Sequence, residues 1–90
     1  MSNGWVLSMK YNIEYSAQAR RGLERLDTAI QIQILRKISH LSENPELGAP
    51  LGNVLKTKRS IHVGKYRAVY SIVGTSIIIA RIGHRKNVYE

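Results

Sequence analysis

The sequence predicts an α+β domain in the order β-α-α-β-β-β: a mainly antiparallel sheet with a two-helix hairpin packed on one face. Three observations carry this prediction. An alternating run opens the fold at residues 10–15, two apolar stripes at helical spacing follow up to residue 43, and three strand-like runs separated by glycines close it between Ser60 and Ile82. Helices segregated from a block of sequential strands mark an α+β arrangement rather than an alternating α/β one.

Each element has its own signal. Tyr11, Ile13 and Tyr15 alternate with Lys10, Asn12 and Glu14, which is the period of a half-buried strand. Trp5 to Leu7 is a candidate extension of it. Ser16 is placed to cap a helix over 17–26, where Ala19, Leu23 and Leu26 recur at helical spacing. Thr28 and Gln31 fit a capping box for a second helix over about 28–43. Its stripe is Ile30, Ile34, Ile38 and Leu41, flanked by Ile32 and Leu35, and Asn44-Pro45 ends it. Pro45, Gly48, Pro50 and Gly52 mark residues 44–57 as a loop. Ile61 and Val63 then alternate with Ser60 and His62, and Ala68, Tyr70 and Ile72 with Arg67, Val69 and Ser71. Gly64-Lys65 between them suits a two-residue type II′ turn. Gly74 marks the next turn, and Ile77 to Ile82 reads as a central strand.

Composition bounds the function. Ninety residues make one domain, read here as residues 9–90, with residues 1–8 as an N-terminal extension. A chain this short has a small, marginally stable core. Its 43% hydrophobic content argues against disorder. Without cysteine there are no disulfides or thiolate metal sites. No apolar run is long enough to span a membrane, and no signal peptide is evident, so a cytoplasmic setting is expected. Fourteen Lys and Arg oppose six Asp and Glu, a formal charge of +8. That excess points to a polyanionic partner. No carboxylate occurs between Glu46 and Glu90, so the last third is the candidate contact surface.

The proposed turn fixes a register. Val63 pairs with Tyr66, and His62 stands directly opposite Arg67, with Cβ atoms roughly 4.5–5.5 Å apart. Ser60 and Lys58 follow on the same face. Arg81 falls opposite Arg67 with a three-residue loop and on the core face with a two-residue loop. Beyond the last strand lie His84, Arg85 and Lys86, then Tyr89, an aromatic able to stack on an exposed base. The candidate RNA-binding cations are Lys58, Arg59, Arg81 and Lys86. His40, His62 and His84 have no metal-ligand spacing, so neither a metal nor a cofactor is expected. No P-loop, nucleophile elbow or dinucleotide fingerprint is present. Gly64 and Gly83 need no role beyond turns and strand ends.

The stretch His62-Val63-Gly64-Lys65-Tyr66-Arg67-Ala68-Val69-Tyr70, with Ile82-Gly83-His84-Arg85 and Val88-Tyr89, resembles the RelE/ParE superfamily of bacterial and archaeal toxins, and more closely its RelE-like branch. The resemblance covers nearly the whole chain from Met9. RelE-like members are ribosome-dependent endoribonucleases that cut mRNA in the ribosomal A site, whereas ParE-like members share the fold and poison DNA gyrase. A third possibility is a non-catalytic nucleic-acid-binding domain of the same fold. The resemblance implies catalytic roles for Arg67, Arg85 and Tyr89. The lysines of the family's first hairpin strand fall on His62 and Ser60 here, with Lys58 and Lys56 nearby. It further implies an acidic RelB-like antitoxin, bound as a hetero-oligomer that represses its own operon.

These residue types suit RNA cleavage without a metal, in which the 2′-OH attacks the adjacent phosphate. The reaction needs in-line positioning, a base, charge stabilisation and a proton for the leaving 5′-oxygen. Arg67 forks onto the phosphate, Arg85 stabilises developing charge, and Tyr89 stacks a base. His62 is the candidate base, with Lys58 second. His84 is a candidate acid, because a guanidinium is a poor proton donor.

Overall fold

The structure, a computed structural model, describes residues 10–52 and 55–86. The expected extension at residues 1–8, the strand extension at Trp5–Leu7, and Tyr89 lie outside these. The order is β1 (Asn12–Tyr15), α1 (Ala17–Glu24), α2 (Thr28–Ser39), two single-turn 3-10 helices (His40–Ser42 and Pro45–Leu47), β2 (Ala49–Leu51), β3 (Leu55–Val63), β4 (Tyr66–Val73) and β5 (Ser76–His84). The sheet runs β1-β5-β4-β3-β2. β1 is parallel to β5, and the other pairs are antiparallel. The α+β prediction holds, with one strand more than expected.

That extra strand corrects the reading of residues 44–57 as a loop. Ala49–Leu51 pairs with β3 and forms the edge of the sheet. An edge is where Pro50 is tolerated, because a ladder position facing solvent needs no N–H. β3 also begins earlier than its alternation suggested. The second helix is shorter than expected: α2 stops at Ser39 and tightens into the 3-10 turn that buries Leu41.

The helices cover one sheet face. Ala19, Ile34, Ile38 and Leu41 pack there on Ile61, Ala68, Tyr70, Ile77, Ile79 and Ile82, all at most 5% exposed. α1 lies very close to β5, and a Cβ on Gly22 would overlap the Ile82 carbonyl oxygen. Ile32 and Leu35, expected to flank the stripe, are exposed on the outer side of α2. The capping box does not form. Asp27 is the N-cap of α2 and makes no side-chain cap bond. The Gln31 amide instead donates to the carbonyls of Leu23 and Leu26, at 2.9 and 3.0 Å, which ties α2 to the end of α1.

Candidate functional site: a cationic face on the sheet

The site begins with the β3–β4 hairpin. Gly64 has φ +60°, and no non-glycine residue has positive φ among those described. This is the pattern of a type II′ turn with glycine first. The register follows as expected: Val63 faces Tyr66, His62 faces Arg67, Ile61 faces Ala68 and Lys58 faces Ser71. Because strand side chains alternate, Lys58, Ser60 and His62 share a face with Arg67, Val69 and Ser71. This face is turned away from the helices, and Ser60 and Val69 are buried at its centre.

Arg81 reaches the same face by a route neither expected alternative contained. The β4–β5 loop is the two-residue one, since Val73 pairs with Ser76. That register alone would turn Arg81 toward the helices. Between Val69 and Tyr70 the ladder shifts: Tyr70 faces Ile79, but Val69 faces Arg81. Ala80 is the extra residue of a β-bulge, and one extra residue reverses the facing of everything beyond it. Ser16 braces this point. Its hydroxyl donates to the Ala80 carbonyl at 2.7 Å and accepts from the Ala19 amide at 3.0 Å, so it caps α1 and satisfies the bulge together.

Beyond the bulge, Arg67 stands opposite Gly83. Arg81 precedes Gly83 by two residues and Arg85 follows it by two. The Arg85 amide donates to the Lys65 carbonyl at 2.9 Å, which keeps the turn after β5 against the hairpin tip. Arg67 thus meets Arg81 along a ladder diagonal of roughly 7–8 Å, with His62 on its other side and Arg85 in the turn just past β5. Among the described residues no hydrogen bond or ion pair holds any of these three guanidiniums; the one described ion pair, Lys10–Glu43, lies elsewhere. Lys58 stands apart. It lies four residues from His62 on the same strand, roughly 13 Å away, and its Nζ donates to the Ser71 hydroxyl at 3.0 Å.

Two sequence candidates fall on the opposite face. Arg59 pairs with Tyr70 on the helix side and donates to the Gly48 carbonyl at 2.6 Å and the Glu46 carbonyl at 3.3 Å. There it fastens the 45–48 turn rather than facing the cationic surface. His84 pairs with Tyr66, and their rings meet edge to face at 5.8 Å. Its Nδ1 accepts from the Lys86 amide at 3.2 Å. His84 is therefore set apart from Arg67, which removes the geometric support for its acid role. Lys86 is exposed just past β5.

Arg36 and Lys37 stand in the last turn of α2, and His40 opens the 3-10 turn that follows. With Gln33, His62 and Val63 they line an open depression of about 390 Å³ beside the end of β3. His62 belongs to both surfaces, so the cationic face continues around this edge. Helical spacing cannot reveal that, because the partner is a strand. Among the described residues no three His, Cys, Asp or Glu side chains gather as a metal site.

The profile of the family described as the ParE toxin of type II toxin–antitoxin systems matches residues 13–89. This chain is a toxin of the RelE/ParE family. The toxin is 26% identical over 88 residues to a curated Escherichia coli protein described as RelE-like, spanning 91% of this chain and 93% of that one. Its fold matches a chain of the RelBE toxin–antitoxin complex from Mycobacterium tuberculosis with a TM-score of 0.76 and 31% identity, over 84% of this chain and 99% of that one. It also matches a chain of the chromosomal ParDE system of P. aeruginosa, with a TM-score of 0.71 and 14% identity, over 84% and 97%. At that identity the last likeness shows the fold alone. The toxin has no helix among its described residues long and apolar enough to cross a membrane.

Proposed function

We propose that the toxin is a ribosome-dependent endoribonuclease that cuts mRNA by attack of the RNA's own 2′-OH. The observation that carries this reading is the cationic face itself: Arg67 between Arg81 and Arg85, opposite His62, with no carboxylate paired to them among the described residues. Like charges held this close are unfavourable without an anion. A phosphodiester in transition to a phosphorane supplies that charge.

The roles follow from position. Arg67 grips the scissile phosphate through two N–H groups, and Arg81 and Arg85 neutralise charge as the 2′-oxygen adds. His62 is exposed beside Arg67 and offers an imidazole as the base. Lys58, roughly 13 Å from it along the strand, is too distant for the same bond and contacts the RNA backbone further along. Tyr89, outside the described residues, keeps the base-stacking role that the family resemblance implies. The face holds few proton-transfer groups, so the ribosome must supply much of the in-line geometry and naked RNA is cut weakly. An acidic antitoxin covering this face in the cytoplasm would silence it by charge complementarity.

The matching ParE profile favours a second reading, inhibition of DNA gyrase. One comparison separates the two. Purified toxin is added to ribosomes stalled on a defined mRNA and, in parallel, to a gyrase supercoiling reaction. A new mRNA 5′ end in the A-site codon with unaffected supercoiling supports the ribonuclease. Supercoiling blocked with intact mRNA refutes it.

A further inference from the structure

Gly83 sits where no structural need for glycine exists. Its φ is not positive, unlike that of Gly52, Gly64 and Gly74. A Cβ built on it meets no atom within 4 Å, whereas one on Gly22 or Gly48 collides with neighbouring backbone or the Tyr70 side chain. It lies inside β5, paired with Arg67. A glycine there weakens the strand and leaves one position of the face without a side chain. The expectation that Gly83 needs no role beyond a strand end does not account for this.

What surrounds the bare position identifies its use. Arg67 faces it across the ladder, Arg81 precedes it by two residues in β5, and Arg85 follows it by two in the turn just past the strand. Glycine within a strand commonly marks close approach of a ligand. We infer that Gly83 is a positioning residue: it forms the floor on which an RNA phosphodiester rests, letting the phosphate settle against the sheet backbone within reach of all three guanidiniums. A methyl group there would lift the phosphate by roughly 1 Å or more, and displacement on that scale can slow a reaction about 100-fold. This inference rests on the ribonuclease reading and adds a steric limit to it.

The test compares Gly83→Ala and Gly83→Val with the parent in single-turnover cleavage of ribosome-bound mRNA, with thermal melting alongside. The expected result is a graded loss, about 100-fold for alanine and larger for valine. The loss should lie in the rate at saturating toxin rather than in the half-saturating concentration. Melting temperatures should stay at or above the parent's, since both residues suit this backbone better than glycine. Variants that cleave within about twofold of an active parent overturn this inference alone. So does a lowered melting temperature for Gly83→Ala, which would make the glycine a requirement of the fold. A parent that cuts no mRNA overturns the ribonuclease reading, and this one with it.

Discussion

The two faces of the β3–β4–β5 sheet are built from the same strands and have opposite chemistry. On the helix side, polar groups are satisfied at short range. Tyr70 is fully buried, its hydroxyl donates to the Pro45 carbonyl at 2.6 Å and accepts from the Gly48 amide at 2.9 Å, and Arg59 closes the same turn. On the other side, Arg67 and Arg81 are diagonal neighbours and Arg85 lies just past β5, none with a described partner. The difference teaches which residues serve folding and which serve function. A group whose hydrogen bonds close within the chain holds the fold, and a cluster of like charges left open is maintained against stability for something outside it.

Substitutions on the two sides should therefore part company. The largest loss of stability is expected for Gly22→Ala, whose new Cβ would overlap the Ile82 carbonyl oxygen. Neither backbone can yield easily, and a loss of about 3 kcal/mol in urea unfolding is expected. Tyr70→Phe should follow at about 1–3 kcal/mol, because it strands the Gly48 amide and the Pro45 carbonyl in the interior. Ser16→Ala removes a cap and the brace of the bulge. It should lower stability by about 1 kcal/mol, and it should also slow cleavage by loosening Arg81, which tests whether the bulge serves the face. The smallest effect, of opposite sign, belongs to Arg81→Ala. Relief of repulsion should leave stability unchanged or raised by a few tenths of a kcal/mol while activity falls. If Arg81→Ala destabilises as much as Ser16→Ala, the contrast between the faces is wrong.

Alkaline pH probes the buried side separately. Burial raises the phenol pKa of Tyr70 and of Tyr15 above the ordinary 10.0. A raised folded value means that the native state holds its proton more tightly. The contribution is fully present below about pH 10 and is lost as pH climbs through the raised values. Chemical denaturation between pH 9 and 11 should show this fall, and Tyr70→Phe should reduce its slope.

Much of this arrangement was legible in the residues. Gly64-Lys65 set the hairpin register that brings His62 to Arg67, because a glycine-first two-residue turn leaves little freedom. The facing of Arg81 was not legible. It depends on a bulge at Ala80, which has no glycine or other local signal and is braced by Ser16 from 64 residues away. The facing of Arg59 and His84 is legible in the strand alternation. Period two from Ile61 and from Ile82 places both on the helix side, as the structure does. The β2 strand was hidden because Ala49-Pro50-Leu51 has turn chemistry, and only its partner makes it a strand. Gly83 was invisible for the opposite reason: a residue without a side chain acquires meaning only from what surrounds it.

The central claim is that the cationic face acts and the helix-covered face folds. Arg67→Ala tests it most directly in the cleavage of ribosome-bound mRNA, with the variant's folding verified by its melting curve. The account predicts cleavage slower by about 100-fold or more at a melting temperature no lower than the parent's. Cleavage equal to the parent's, by a variant just as stable, would contradict it.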